Sequence, residues 1–217
     1  MSLRRAVAGV IVMAASVAVA PVAGAAPDGC PDVEVIFARG TGEPAGVGNI
    51  GQAFVDALAP RLGERTLNVY PVNYPADFDF LEAAVGAEDA AARIVAVSSR
   101  CPETKIVLGG YSQGAALVDM LAQVHPLGGA IGDIGSAPPL AAPFADAVSA
   151  VAVFGNPAAR FSTPLSEAGF FAGRAIDLCN PEDPICSANG EEMAAHTSYE
   201  SAPYPEDSAG FVAERLG

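Results

Sequence analysis

Gly110-Tyr111-Ser112-Gln113-Gly114 is a G-x-S-x-G pentapeptide. Alone it is a weak signal in a glycine-rich chain, so its neighbours decide what it means. Ile106-Val107-Leu108 runs into it as an apolar strand, and Ala115-Ala116-Leu117-Val118 opens a helix after it. A strand, a sharp turn and a helix together raise a serine hydroxyl above a sheet, at the positive end of the following helix. The glycines suit a turn so tight that side chains beside Ser112 would collide. The competing reading is a glycine-rich strand-to-helix turn with a capping serine.

A nucleophilic serine needs a base, and the chain has two histidines. His125 lies far along the predicted elbow helix, roughly 19 Å from Ser112 at about 1.5 Å per residue. It reads as a helix C-terminal residue that favours the negative end of the dipole. His196 remains, and it follows the last predicted strand, as the chain order serine, acid, histidine requires. Several acids lie between them. Asp119 reads as a surface or helix residue, and Asp133 and Asp146 have no strand directly before them. Asp177 sits within the strand 175–178. Asp183 follows that strand, inside a loop that Cys179 and Cys186 could close. An acid that must hold one imidazole tautomer in one orientation is well served by a small ring, so Asp183 is favoured over Asp177.

The developing oxyanion needs donors. The backbone N–H of Gln113, the residue after the serine, supplies one. Thr41, in Arg39-Gly40-Thr41-Gly42 after the first strand, offers an N–H and a hydroxyl. An ordinary β-α turn hinged at Gly40 and Gly42 accounts for that segment equally well.

These groups must be carried by an alternating fold. Apolar runs predict strands at 33–38, 66–72, 105–109, 148–154 and 175–178. Helical spacing predicts helices at 49–62, 80–97, 113–124 and 208–216, with Pro126 stopping the third. Asn189, with Glu192 at the capping-box position, predicts a helix running toward Tyr199. Continuous apolar strands alternating with helices indicate an α/β fold with a parallel sheet covered on both faces.

The composition narrows the class of partner. The chain has 217 residues, 51% of them hydrophobic and 17% charged, which excludes disorder and suits one domain. A net charge of -14 disfavours duplex nucleic acid and anionic membrane surfaces. Arg4-Arg5, an apolar run from Ala6 and Ala23-Gly24-Ala25 form a signal-peptide pattern over 1–25, leaving 26–217 as the exported domain. An uncleaved membrane anchor is the alternative. Export makes four cysteines a disulfide framework. Cys30 and Cys101 both lie just before predicted strands, so they meet if those strands are parallel neighbours. Cys179 and Cys186 can close a small loop. By the chain-entropy argument the long loop contributes roughly 4 kcal/mol and the short one roughly 2.5. With no C-x-x-C pair and two histidines, zinc is disfavoured.

Four blocks, Ala38-Arg39-Gly40-Thr41-Gly42-Glu43, Gly109-Gly110-Tyr111-Ser112-Gln113-Gly114, Cys179-Asn180-Pro181-Glu182-Asp183-Pro184-Ile185-Cys186 and Ala195-His196-Thr197-Ser198-Tyr199, together resemble the cutinase family, most closely its secreted actinobacterial members. The resemblance spans about 30–216. It implies a small lidless α/β-hydrolase with a five-stranded parallel sheet. It implies Ser112 as nucleophile, Asp183 as acid and His196 as base, with Thr41 and Gln113 as oxyanion donors and the same two disulfides. Loops 74–86 and 184–195 would flank the cleft, and here they depart from those of members acting on plant cutin. Phe78, Phe80, Leu81, Ile185 and Met193 are candidates to line an acyl site, with core packing the competing role for Phe80 and Leu81. The expected activity is ester hydrolysis through an acyl-enzyme, by a monomer needing no metal or cofactor. Two alternatives stay open: a phospholipase or thioesterase using the same three residues, and a non-catalytic secreted binding protein on a hydrolase scaffold.

Overall fold

The computed structural model describes residues 29–128 and 134–217. The segment read as a signal peptide, 1–25, and Asp133 among the candidate acids lie outside these.

Five strands, β1 (Val33–Ala38), β2 (Leu67–Pro71), β3 (Lys105–Tyr111), β4 (Val148–Phe154) and β5 (Ala175–Leu178), form one sheet in the order β2-β1-β3-β4-β5. Every neighbouring pair is parallel. The order reverses after β1, so loops leaving β1 and β3 open a crevice at the carboxyl edge of the sheet. Helices α1 (Gly48–Leu58) and α7 (Tyr204–Leu216) cover one face, and α2 (Ala83–Arg100) and α3 (Gln113–Leu121) cover the other.

Alternation along the strands builds two cores. Val33, Val35 and Phe37 of β1 join Ala150, Ala152 and Phe154 of β4 on the α1/α7 face. Ile36 and Ala38 join Val151 and Val153 on the α2/α3 face. The rings of Phe37, Phe54 and Phe154 meet at centroid distances of 6.1–6.2 Å. Such aromatic pairs contribute about 0.5–1.5 kcal/mol each beyond the area they bury.

Several boundaries differ from the sequence expectation for local reasons. Helix α1 stops at Leu58, and a 3-10 turn over Ala59–Arg61 follows because Pro60 cannot continue the α-helical ladder. The segment 80–82 is likewise a 3-10 turn, and α2 begins at Ala83. Helix α3 ends at Leu121 and the chain turns at Gln123, with φ 64°. His125 is therefore exposed and beyond the helix, not in its last turn. Helices α4 (Ala142–Ala147) and α5 (Pro157–Arg160) form where the sequence reading places no helix. The helix expected from Asn189 is a single turn, α6 (Met193–His196), and its N-cap is Glu192.

Cys30 bonds to Cys101 and Cys179 to Cys186. The first pair meets because β1 and β3 are adjacent and parallel, so the chain enters both at the same edge. No helix among the described residues is long and apolar enough to cross a membrane.

Asp119 corrects the sequence reading. It lies in α3 but is completely buried. Its Oδ1 accepts a hydrogen bond from Asn156 Nδ2 at 3.0 Å, and its Oδ2 has no partner among the described residues. Burial pushes this carboxyl well above the usual range; the Asn156 bond opposes that and the nearby Asp177 adds to it. A carboxyl more basic in the folded than in the unfolded chain favours folding fully below its unfolded value of about 3.9, and that advantage is lost as pH rises through its folded value. Asp119→Asn removes this ionisation. Urea midpoints measured from pH 4 to 9 should therefore show the variant gaining on the wild type as pH rises, by up to about 1.4 kcal/mol per pH unit. Parallel curves would mean that Asp119 is not the group responsible.

Candidate active site

The serine turn is shaped by how closely three backbone segments approach. Ser112 has φ 53° and ψ -113°, a conformation that costs a non-glycine residue of order 1–3 kcal/mol. A Cβ on Gly110 would sit 2.5 Å from the Gly114 carbonyl carbon, and one on Gly114 would sit 2.7 Å from the Arg39 carbonyl oxygen. Both glycines are therefore required sterically. The Ser112 N–H donates to the Phe154 carbonyl at 2.9 Å, which ties the turn to the end of β4. Its side chain does not cap α3, so the capping alternative is not realised.

The hydroxyl instead faces His196, with Ser112 Oγ 2.8 Å from Nε2. His196 Nδ1 lies 2.8 Å from Asp183 Oδ2. Asp183 is completely buried yet well solvated by protein donors. Oδ2 also accepts the Tyr199 hydroxyl at 2.6 Å, and Oδ1 accepts the Ile185 N–H at 2.7 Å. Burial opposes charge on this carboxyl, but the bonds from His196, Tyr199 and Ile185 outweigh it and hold its pKa below the ordinary value. Asp177 is engaged elsewhere, accepting from Asn156 Nδ2 and from the N–H groups of Leu165 and Ser166. The fold thus brings Asp183, and not Asp177, to His196.

The loop carrying Asp183 is braced beyond its disulfide. Arg160 Nη1 donates to the carbonyls of Pro184 and Ser187, each at 2.5 Å. Tyr199 joins both walls, since its oxygen accepts the Asn180 N–H while its proton goes to Asp183. Burial first, and then that bond to Asp183, push its phenol far up, so it remains a donor. Tyr111, the variable residue before Ser112, donates to the His196 carbonyl at 2.7 Å, and its ring lies 5.1 Å from the imidazole. Gly155 closes the site from beneath, with φ 55°. None of these four supporting roles is legible in the sequence, because each depends on a partner distant along the chain.

On the other side of the serine, the Thr41 hydroxyl donates to Gln113 Oε1 at 3.0 Å. The Gln113 Nε2 is buried without a partner among the described residues. The Gln113 N–H is the first of α3, an end that carries unsatisfied donors. Glu43 anchors the Thr41 segment: its carboxylate accepts the N–H of Gly40 at 2.6 Å and of Ile50 at 3.1 Å, bridging the loop to the first turn of α1.

Ser112 and His196 open into a cleft of about 540 Å³. Phe78, Phe80, Ile185 and Met193 line it, as do Leu127 and Ile134. Leu81 does not line it, although it is exposed, and Phe80 lies in the cleft and not in the core. The 3-10 turn over Phe80–Glu82 explains the difference, since it presents successive side chains in different directions.

A parallel sheet covered by helices, with a serine on the elbow after its third strand, defines an α/β-hydrolase. The sequence model of the Cutinase family matches residues 29–216, and the chain belongs to that family. It is 50% identical over 191 residues to the probable carboxylesterase Culp3 of Mycobacterium tuberculosis, covering 87% of this chain and 71% of that one. It is 46% identical over 200 residues to the phospholipase Culp4 of the same organism, covering 92% and 84%. Among solved structures, a Trichoderma reesei cutinase in complex with a phosphonate inhibitor is 34% identical with a TM-score of 0.69, covering 88% of this chain and 80% of that one.

A Cβ on Gly155 would lie 2.8 Å from His196 Cε1, and its φ is unfavourable for any other residue. Gly155→Ala should displace the imidazole and slow labelling by a fluorophosphonate about 10²-fold, the scale of a 1 Å misplacement. Circular dichroism should remain that of the wild type. Unchanged labelling of a folded variant would show that the ring does not depend on this floor.

Proposed function

We propose that this chain hydrolyses carboxylic esters through an acyl-enzyme, with Ser112 as nucleophile, His196 as general base and then acid, and Asp183 as the group that orients and stabilises the imidazolium. The observation that carries this reading is the unbroken line Asp183–His196–Ser112, with 2.8 Å at each step, ending at the floor of an apolar cleft. His196 takes the serine proton as Oγ attacks the ester carbonyl, and the oxyanion is held by donors at Gln113 and Thr41. The proton then passes to the leaving alcohol, and water repeats the sequence to free the acid. The alcohol must receive its proton from His196, so it lies toward Ile185, Met193 and Thr197. In this reading the acyl chain takes the remaining apolar lining, Phe78, Phe80, Leu127 and Ile134.

The lining also bears on which ester is cleaved. No lysine or arginine lines the cleft among the described residues. A phosphate-bearing alcohol would find no counter-charge there, on a protein of net charge -14. Uncharged esters are thus favoured over phospholipids, closer to the activity named for Culp3 than to that named for Culp4. Two disulfides are consistent with an exported protein acting outside the cell.

The test is hydrolysis of p-nitrophenyl esters from acetate to palmitate, beside a phospholipid of matched acyl length. The wild type should turn over short and medium esters and leave the phospholipid nearly untouched. Ser112→Ala should lose activity by a factor of order 10⁶, together with fluorophosphonate labelling. A folded wild type that takes no label would instead support a binding protein on a hydrolase scaffold. Faster phospholipid cleavage would reverse the choice of substrate.

A further inference from the structure

The loop that forms the Phe78 and Phe80 wall is fastened to the segment that carries Thr41. Arg39 Nη2 donates to the carbonyls of Tyr74 and Pro75, each at 2.8 Å. The Tyr74 hydroxyl donates back to the Arg39 carbonyl. The Gly42 N–H donates to the Ala76 carbonyl at 2.8 Å, and Ala76 itself is buried with φ 53°. The Arg39 guanidinium lies 5.3 Å from the centre of the Tyr74 ring. Among the described residues no carboxylate forms an ion pair with it, and Nη2 alone serves the two carbonyls while Nε is buried without a partner. Two residues beyond Arg39, Thr41 reaches Gln113, while Glu43 holds the same segment to α1 from the other side. Past Ala76, Asp77 and Asp79 each accept an N–H two residues on, from Asp79 at 2.8 Å and Leu81 at 3.3 Å, which shapes the stretch bearing the two phenylalanines.

We propose that Arg39 is a positioning residue that joins the acyl wall and the oxyanion segment into one rigid body, so that an acyl chain seated against Phe78 and Phe80 sets its carbonyl in register with Thr41 and Gln113. This inference rests on the esterase reading above. Its physical content is that binding energy gained at the remote wall is realised as rate and not only as affinity. A lysine cannot replace the arginine here: both bonds leave the far nitrogen Nη2, beyond the reach of the shorter lysine stem, and an ammonium lacks the planar guanidinium that faces the Tyr74 ring.

The experiment measures kcat and KM separately for p-nitrophenyl acetate, which is too short to reach the wall, and for the octanoate, which reaches it. Wild type, Arg39→Gln, Arg39→Lys and Tyr74→Phe are compared, and thermal unfolding of each is recorded. For octanoate, kcat should fall about tenfold in both Arg39 variants with KM within twofold of wild type. For acetate, kcat should stay within twofold. Tyr74→Phe keeps the ring and removes one of the bonds, so it should show the same split to a smaller degree, and it serves if the Arg39 variants do not fold. Equal losses on both esters, tracking the fall in unfolding temperature, would overturn the proposal in favour of a purely structural arginine. Full activity in Arg39→Lys would overturn it in favour of charge alone. Wild-type protein inactive on both esters would instead overturn the esterase reading, an outcome separate from either.

Discussion

The close approach of backbone at Ser112 is the constraint on which the rest of this structure depends. Strand β3 must stop, reverse direction in one residue and enter α3 while that helix presses against the carbonyls that end β1. Only residues without a Cβ fit at Gly110 and Gly114. The strain at Ser112 is sustained by its N–H bond to Phe154 and by the fully buried first turn of α3. Because strands β1, β3 and β4 are parallel neighbours, the same packing that forms the turn brings the Thr41 segment to one side of the serine and Gly155 to the other.

Around this turn the protein invests in rigidity. His196 is held from several directions: Asp183 at its ring nitrogen, Tyr111 at its carbonyl and over its ring, and Gly155 beneath. Asp183 is in turn fixed by Tyr199, by the Ile185 N–H and by a disulfide loop that Arg160 clamps from α5. A site held in this way has little freedom to rearrange, the property that preorganised dipoles require. The apolar cleft adds shape without adding charge, leaving the polar work to a few groups at its floor.

Asn156 shows how economically the polar interior is arranged. It follows Gly155, caps the first turn of α5 through its Oδ1, and through Nδ2 reaches both Asp119 on α3 and Asp177 on β5. One buried amide therefore links the elbow helix to the edge strand beside the Asp183 loop. Its neighbour Asp119 bears the electrostatic consequence, since one of its oxygens is left without a described partner in a site that disfavours charge.

Much of this was determined by the sequence itself. Strands β1, β4 and β5 have the bounds their composition predicts, because each is a mostly apolar run, with Glu34, Ser149 or Asp177 as its one polar member, and ends where polar and turn residues take over. The G-x-S-x-G turn is legible because its requirement, two missing side chains, is local. His196 and Asp183 could be singled out because few histidines exist and a cysteine pair frames the acid. Tertiary structure alone decided the rest. That Asp119 is buried, that Leu81 turns away from the cleft while Phe80 enters it, that Gly155 floors the imidazole and that Arg39 reaches the carbonyls of Tyr74 and Pro75 all depend on segments far apart in the chain. Spacing along a sequence reports periodicity and turns. Which groups face each other across a sheet follows from strand order and register, and those are settled only when the two cores pack.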